Sequence, residues 1–240
     1  DDGSQYGLCL RNDNNQAGYY NLIYDNGGYI INDDKTKSGM DDPKTVEAME
    51  MLEGWIKDGV LPPIETMSEN GEDVLLESGK VAMVPQGSWM IAAFRDNEYT
   101  AENCDCVELP KSATTGRRAS LYNGLGWAAS ANTEHPEEAW QLIEYLGSKE
   151  AQEKQAELGV TMSAYTGTSE AWAKSANFNL QAYINMMDDM EIRPYSRSTV
   201  TWENKNSEIL KSVYSGDKTM ADACKEMAEQ MNESLAEEQQ

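Results

Sequence analysis

Histidine is nearly missing from this chain, which has only His135 among its 240 residues. Pro136 and two glutamates follow His135, and both are signals for the start of a helix, so the residue has a structural explanation. Triad hydrolases need a histidine base, and His-rich metal sites need several imidazole ligands. The sequence therefore predicts no triad-type catalytic residue, no metal site and no cofactor. Carboxylate-based catalysis stays open, because Asp and Glu total 42.

Basic residues are scarce, since the chain has 19 Lys and Arg but 42 Asp and Glu, and its formal net charge is -23. Such a surface repels nucleic-acid phosphates and bare anionic membranes. No apolar run approaches the roughly 18 residues that a membrane-spanning helix needs. We therefore expect no nucleic-acid partner and no membrane insertion by this part of the protein. A cationic or neutral partner stays open, as does a neutral ligand that is bound by something other than charge.

Cysteine is too sparse for a disulfide scaffold, because a chain of this length would need far more than four. We expect all four to be free thiols, with Cys224 in the core. This expectation leaves the cellular compartment open.

Strands and helices alternate along the chain, which favours an α/β architecture. Capping residues, prolines, glycines and apolar periodicity predict helices over 18–24, 42–59, 72–78, 88–95, 136–146, 150–158, 201–214 and from Thr219 onward. Short strands are predicted over 6–10, 81–84, 104–109 and 119–131.

Several apolar side chains fall on helical stripes and are therefore predicted to lie in the core. Trp55 and Trp140 are two of them, while Trp172 fits either the core or a binding site. The final helix is expected to bury Met220, Cys224, Met227, Met231 and Leu235.

The aromatic residues are biased towards rings with a polar tip, since six Trp and twelve Tyr stand against two Phe. Sugars bind to aromatic faces and to hydrogen-bonding side chains, so this bias suits a sugar site. Trp89 follows Pro85 and Gly87 at a predicted turn from strand to helix, and ligands of α/β folds bind beyond the carboxyl ends of strands. We predict that Trp89 is a stacking platform, with a core position as the alternative.

Several short motifs stand in an order that resembles a known family. They include Asn26-Gly27-Gly28-Tyr29, then Gly79-Lys80-Val81-Ala82-Met83 with Gly87-Ser88-Trp89, then the helix from His135-Pro136-Glu137-Glu138, and finally Arg193-Pro194-Tyr195. This order resembles extracellular solute-binding protein family 1, the maltose-binding-protein-like sugar receptors of ABC importers. The usual Phe before the glycine block is Leu76 here, and a common Pro near Tyr165 is absent.

The resemblance implies a periplasmic-binding-protein-like fold of type II, with two α/β lobes and a ligand cleft between them. By the same resemblance, residues 1–112 and 160–240 form the C-terminal lobe, and 113–159 return to an N-terminal lobe. Most of that N-terminal lobe would then be missing from this chain. The parent protein would be extracellular or periplasmic, with a lipid anchor at its missing N-terminus.

Candidate ligand-binding residues besides Trp89 follow from predicted loops and from the resemblance. Near the first loop they are Asn15, Tyr19 and Tyr20, each with a structural alternative. The resemblance places Asn123 and Gly124 at the hinge side of the cleft and leaves Tyr165 in doubt. Tyr195 and Trp202, in and after an irregular segment, suit either the cleft or the core.

The resemblance implies a non-enzymatic substrate-binding component that delivers a sugar or oligosaccharide to the permease subunits of an ABC transporter. Two alternatives stay open: a receptor for glycerol phosphate or another small polar solute, and a secreted glycan hydrolase that uses carboxylates.

Overall fold

The computed structural model describes residues 5–11 and 15–239. In this part the chain forms twelve α-helices and two strands. The helices are α1 Tyr20–Asp25, α2 Pro43–Lys57, α3 Ile64–Glu69, α4 Glu72–Glu77, α5 Ile91–Asp96, α6 Glu98–Asn103, α7 Pro136–Leu146, α8 Lys149–Leu158, α9 Ser169–Ala173, α10 Gln181–Asn185, α11 Thr199–Tyr214 and α12 Met220–Glu238. The strands are β1 Ser120–Tyr122 and β2 Met190–Ile192, and short 3-10 helices span Asn15–Ala17, Ser88–Met90 and Met186–Asp189.

The chain divides into two compact units. The first contains the described residues up to Pro85, Leu109–Tyr122 and the residues from Asp189 onward, and the second contains Gln86–Glu108 and Asn123–Asp188. The predicted return segment 113–159 is therefore split between the two units. The assignment of the three predicted segments to lobes of a longer protein stays a prediction.

Helices dominate the first unit, whose core forms where α1, α2, α11 and α12 pack together. Thr219 caps the N-terminus of helix α12, since its hydroxyl accepts a hydrogen bond from the backbone N–H of Asp222 at 3.2 Å. The five residues predicted to be its buried stripe, Met220, Cys224, Met227, Met231 and Leu235, are all fully buried. The apolar periodicity of α12 thus predicted its packing correctly.

Strand pairing in the first unit is short, and apart from an isolated antiparallel bridge from Ile31 to Ser38 it is parallel. β1 pairs with β2 in the register Ser120 to Met190. The predicted strands 6–10 and 81–84 meet in a single parallel bridge from Tyr6 to Val81, and the N–H of Cys9 donates to the carbonyl of Met83 at 3.0 Å. The predicted strand 119–131 is therefore reduced to three residues. The prediction of a strand over 104–109 is wrong, because the backbone there bonds to side chains, with Asn179 Nδ2 donating to the carbonyl of Cys106 at 3.3 Å.

The second unit buries a smaller set of side chains, which includes Ile91, Phe94, Ala156, Trp172 and Leu180. Helix α7 has the predicted bounds, but none of its residues is buried. Trp140 is 61% exposed, so its predicted core position is wrong. The physical reason is that the main packing partner of α7 is α8, and this small contact does not cover its apolar face. Trp172, by contrast, is fully buried.

Among the described residues, no helix combines the length and the apolar character that crossing a membrane requires. All four cysteines are free thiols, and Cys9 and Cys224 are buried.

Candidate functional site

Trp89 lies in the second unit, in the 3-10 helix Ser88–Met90 that leads into α5. Its side chain is 40% exposed, so the ring is neither sealed in the core nor free on all sides. One part of the ring packs on Gly87, because a β-carbon on Gly87 would lie 2.0 Å from Cζ3 and 2.2 Å from Cη2 of the indole. A flat ring that is supported at one part and open to solvent elsewhere can stack against the C–H face of a sugar.

Hydrogen bonds hold the turn that carries Trp89. The carbonyl of Gln86 accepts a hydrogen bond from the Tyr183 hydroxyl at 3.0 Å, and the N–H of Gly87 donates to the side-chain oxygen of Gln86 at 3.0 Å. Burial, and to a smaller extent the nearby Cys106, raises the pKa of Tyr183, so its hydroxyl stays protonated and remains a donor.

Tyr183 is itself fixed by an aromatic contact with the core of the second unit. Its ring meets the buried Trp172 edge-on, with centroids 5.6 Å apart and planes at 84°. The Trp89 turn is thus connected to the core through the Tyr183 hydroxyl. Sequence reasoning missed this support, because Tyr183 is 97 positions from Gln86 and no local motif marks the pair.

The segment that carries Tyr165 is bonded to the Trp89 turn. The hydroxyl oxygens of Ser88 and Thr161 are 2.9 Å apart, and Tyr165 follows four positions later with 40% of its side chain exposed. Ser163 continues the connection, since its hydroxyl accepts from the N–H of Tyr165 at 3.2 Å. Of the predicted site residues, Trp89 and Tyr165 therefore lie on neighbouring segments of one unit.

Three predicted ring contacts are corrected by the structure. Trp202 and Tyr20 are fully buried and Tyr19 is 3% exposed, all within the core of the first unit. Trp202 points its Nε1 at the Ser196 hydroxyl at 3.0 Å, while Tyr20 donates its hydroxyl to Glu203 at 3.0 Å. These rings belong to one buried cluster of the first unit, so none of them offers a face for stacking.

Tyr195 lies in the first unit and is 55% exposed. The ammonium of Lys35 lies 3.2 Å from its ring centroid, so one face of the ring already makes a cation–π contact. Glu238 fixes the following residues, accepting hydrogen bonds from the Ser196 hydroxyl at 2.7 Å and from the N–H of Ser198 at 2.7 Å. The ring of Tyr195 therefore has a fixed position on the first unit.

The remaining predicted residues give less information. Asn123 and Gly124 are exposed at the point where the chain enters the second unit after Tyr122. The side chain of Asn15 lies outside the described part of the chain.

A polar cleft of about 420 Å³ opens within the first unit. It lies where the segment 6–10 ends, between that segment, the stretch from Met67 to Glu72 and helix α11. Glu72 is only 2% exposed and forms an ion pair with Arg11 at 3.3 Å. A smaller depression of about 270 Å³ in the same unit falls below the range of roughly 300–1,000 Å³ that small-molecule sites occupy.

Within the described residues, no three His, Cys, Asp or Glu side chains come together as metal ligands would. The exposed rings offer faces for stacking, and the polar cleft offers hydrogen-bonding side chains.

Comparison with known proteins gives a family match over most of the chain. The family of bacterial extracellular solute-binding proteins matches residues 5–187. A maltodextrin-binding protein of Bacillus subtilis is 26% identical over 135 residues, which cover 54% of this chain and 31% of that protein.

Solved structures extend the likeness to nearly the whole chain. An ABC substrate-binding protein from Listeria monocytogenes, in complex with cycloalternan, covers 97% of this chain with a TM-score of 0.83 and 18% identity. The GacH receptor of Streptomyces glaucescens, solved unliganded and with acarbose, covers 97% with a TM-score of 0.84 and 19% identity. This chain spans 59% and 60% of those two chains, and the predicted periplasmic-binding-protein-like fold is confirmed.

Proposed function

The chain belongs to the family of bacterial extracellular solute-binding proteins, and from this premise we propose that it is part of the sugar-binding subunit of an ABC importer. The ligand is a neutral sugar or oligosaccharide, bound without chemical change. The relatives named above support this class of ligand, since one is a maltodextrin-binding protein and the other two were solved in complex with cycloalternan and acarbose. Because the chain spans only part of their length, delivery to permease subunits and anchoring to a membrane are proposals for the whole protein.

One observation carries the proposal, namely the exposed and supported ring of Trp89. Its 40% exposure and its contact with Gly87 make it a rigid apolar surface, which costs little ordering entropy when a ligand binds. Tyr165 adds a second exposed ring on the segment bonded through Thr161. Asn123, at the entrance to the second unit, supplies an exposed amide for hydroxyl groups.

The charge of the protein favours a neutral ligand over glycerol phosphate. A net charge of -23 repels phosphate at long range, so a phosphate receptor would need a concentrated basic site. The residues near Trp89 that carry the argument, Gln86, Ser88 and Thr161, are uncharged.

A titration of the 240-residue chain with maltose, maltotriose and a cyclic glucan tests the proposal, with Trp fluorescence and heteronuclear NMR as readouts. We expect saturable binding that Trp89→Ala weakens at least about tenfold, equivalent to about 1.4 kcal/mol. Trp140→Ala is the matched control, because Trp140 is also an exposed indole of the second unit. Equal affinity of the Trp89→Ala variant and the wild type would remove the proposed role of this ring.

Labelled oligosaccharides incubated with the same protein distinguish a receptor from a hydrolase. We expect the oligosaccharides to be recovered intact, whereas release of shorter products would overturn the receptor proposal.

A further inference from the structure

The polar cleft of the first unit has the size and the position of a ligand site. Its volume of about 420 Å³ falls within the roughly 300–1,000 Å³ typical of small-molecule pockets. The cleft opens at Leu10 and Arg11, the carboxyl end of a segment that pairs in parallel with Val81. Ligands of α/β folds bind beyond this end of the strands.

The charges that line the cleft balance one another. Arg11 pairs with the buried Glu72 at 3.3 Å, and Lys211 pairs with Glu208 at 2.6 Å. The lining therefore carries two cations and two carboxylates, in a chain whose net charge is -23. The cleft therefore has no net charge to attract an anion or a cation. A charged ligand could bind only by breaking one of the two existing ion pairs.

The other lining groups suit hydroxyls and C–H surfaces. Asn204 and Ser207 of α11 and Ser68 supply both donors and acceptors, which a sugar or polyol hydroxyl can match. Leu10 and Met67 add an apolar wall. Burial and the charge of Glu72 raise the pKa of Cys9 to about 12, so the thiol that lines the cleft is neutral.

Ring stacking is not available in this cleft, because none of its described lining residues is aromatic. Recognition must then use hydrogen bonds along the polar edges of the ligand, together with contacts to Leu10 and Met67. An acyclic polyol meets these requirements as well as a sugar ring does.

We propose that this cleft is a second ligand site, for a neutral polyhydroxylated molecule about as large as one sugar residue. Arg11, Asn204 and Ser207 are the residues that hydrogen-bond it. The inference rests on the proposed function for its ligand class, but the cleft lies in the first unit and Trp89 in the second, so the two are tested by different variants.

Heteronuclear NMR of the full chain provides the test, with glucose, sorbitol, glucose 6-phosphate and glycine as probes. We expect glucose and sorbitol to shift the side-chain amide signal of Asn204 and the Nε signal of Arg11 in a saturable way. The phosphate ester and the zwitterion should cause at least tenfold weaker shifts. Failure of both neutral probes to shift these signals, or tighter binding of a charged probe, would overturn the proposal.

A variant that fills the cleft separates this site from the Trp89 site. Ser207→Trp should weaken sorbitol binding at least tenfold, while Lys205→Trp, on the same helix but outside the lining, should leave it unchanged. Asn204→Ala, at an exposed position, is a milder second variant that should also weaken sorbitol binding.

The outcomes at the two sites can be told apart. If neither cleft variant changes the affinity for sorbitol, the second site is contradicted, even if Trp89→Ala abolishes oligosaccharide binding. If Trp89→Ala has no effect while the cleft variants do, the proposed role of Trp89 fails and the cleft remains.

Discussion

The indole ring of Trp89 lies so close to the α-carbon of Gly87 that a β-carbon on Gly87 would approach it to 2.0 Å. The φ angle of Gly87 is −83°, a value that any residue can adopt, so the ring and not the backbone requires glycine at this position. This contact turns a flexible surface side chain into a supported one.

Replacing Gly87 with Ala should displace the Trp89 ring without unfolding the protein. The ring is 40% exposed and can swing outward, so we expect a change in near-ultraviolet circular dichroism and a sugar affinity reduced about tenfold, or about 1.4 kcal/mol. Gly126→Ala is the control, because a β-carbon there meets nothing within 4 Å. An unchanged Trp89 signal in the Gly87→Ala variant would show that this contact does not position the ring.

Changes at Trp202 should affect stability and leave sugar affinity unchanged. Its ring is fully buried, so Trp202→Ala should cost about 3–5 kcal/mol. Trp202→Phe loses the hydrogen bond to Ser196, worth about 1 kcal/mol, and leaves part of the space of the indole empty, so its cost should lie between that value and the cost of Trp202→Ala. Urea unfolding measures both costs. The exposed Trp140, changed to Ala, should stay within about 0.5 kcal/mol of the wild type. A weaker sugar affinity in the folded Trp202→Phe variant would restore the ligand role that the structure argues against.

Asp25 should make the protein less stable as the pH rises towards 6. Desolvation is the main reason that its pKa is raised to about 6, and the charge of Asp189 raises it further. The hydrogen bond from the Ala119 N–H and the charges of Arg117 and Arg118 lower the pKa but do not outweigh desolvation. The folded state therefore binds more protons than the unfolded state between about pH 3.9 and 6, and this stabilising contribution is lost across that interval as the pH rises.

The variant Asp25→Asn removes this titration but keeps an oxygen that can accept from the N–H of Ala119, which lies 2.5 Å from the Asp25 carboxylate. We expect its stability advantage over the wild type to grow between pH 4 and 6 and to reach on the order of 2 kcal/mol. Urea unfolding across this range measures the difference, with the exposed Asp33→Asn as a control for the lost charge. A constant difference across the range would contradict the raised pKa.

Glu238 has the opposite effect to Asp25, because it should make the protein less stable as the pH falls. Desolvation would raise its pKa, but hydrogen bonds from the side chains of Ser198 and Ser196 and from the N–H groups of Ser198 and Arg197 lower it to about 2. Its stabilising contribution is therefore complete above the unfolded pKa, near 4.3, and is lost as the pH falls towards 2.

The variant Glu238→Gln should be less stable than the wild type at pH 6, and the gap should narrow between pH 4.5 and 2. Thermal unfolding at several pH values measures it. Glu237→Gln, one position earlier on the exposed side of α12, should show a smaller gap. Equal gaps for both variants would mean that the bonds to Ser196 and Ser198 add nothing to stability.

Helix prediction succeeded where the signals are local. Pro136 and the acids after it mark the start of α7, and the cap at Thr219 marks the start of α12, so both helices follow from a few neighbouring residues. Strand prediction did worse, because a strand needs a distant partner. The segment 104–109 has an apolar pattern, but its backbone bonds to side chains.

Burial of the aromatic rings was the least predictable feature. Trp202 and Trp89 both lie near the start of a helix after an irregular segment, yet Trp202 is sealed by the packing of α12 and Trp89 is 40% exposed. Trp140 lies on a strong apolar stripe and is still exposed, because the packing of α7 against α8 does not cover it.

The sequence by itself determined the family, the acidic surface, the α/β class and most helix limits, because each of these depends on composition, on motif order or on residues a few positions apart. Only the tertiary structure decided which rings face solvent, that Tyr183 supports the Trp89 turn, and that Arg11 meets Glu72 at the polar cleft. Those relationships join residues 61 and 97 positions apart. Their formation depends on how every intervening helix packs, which no local pattern records.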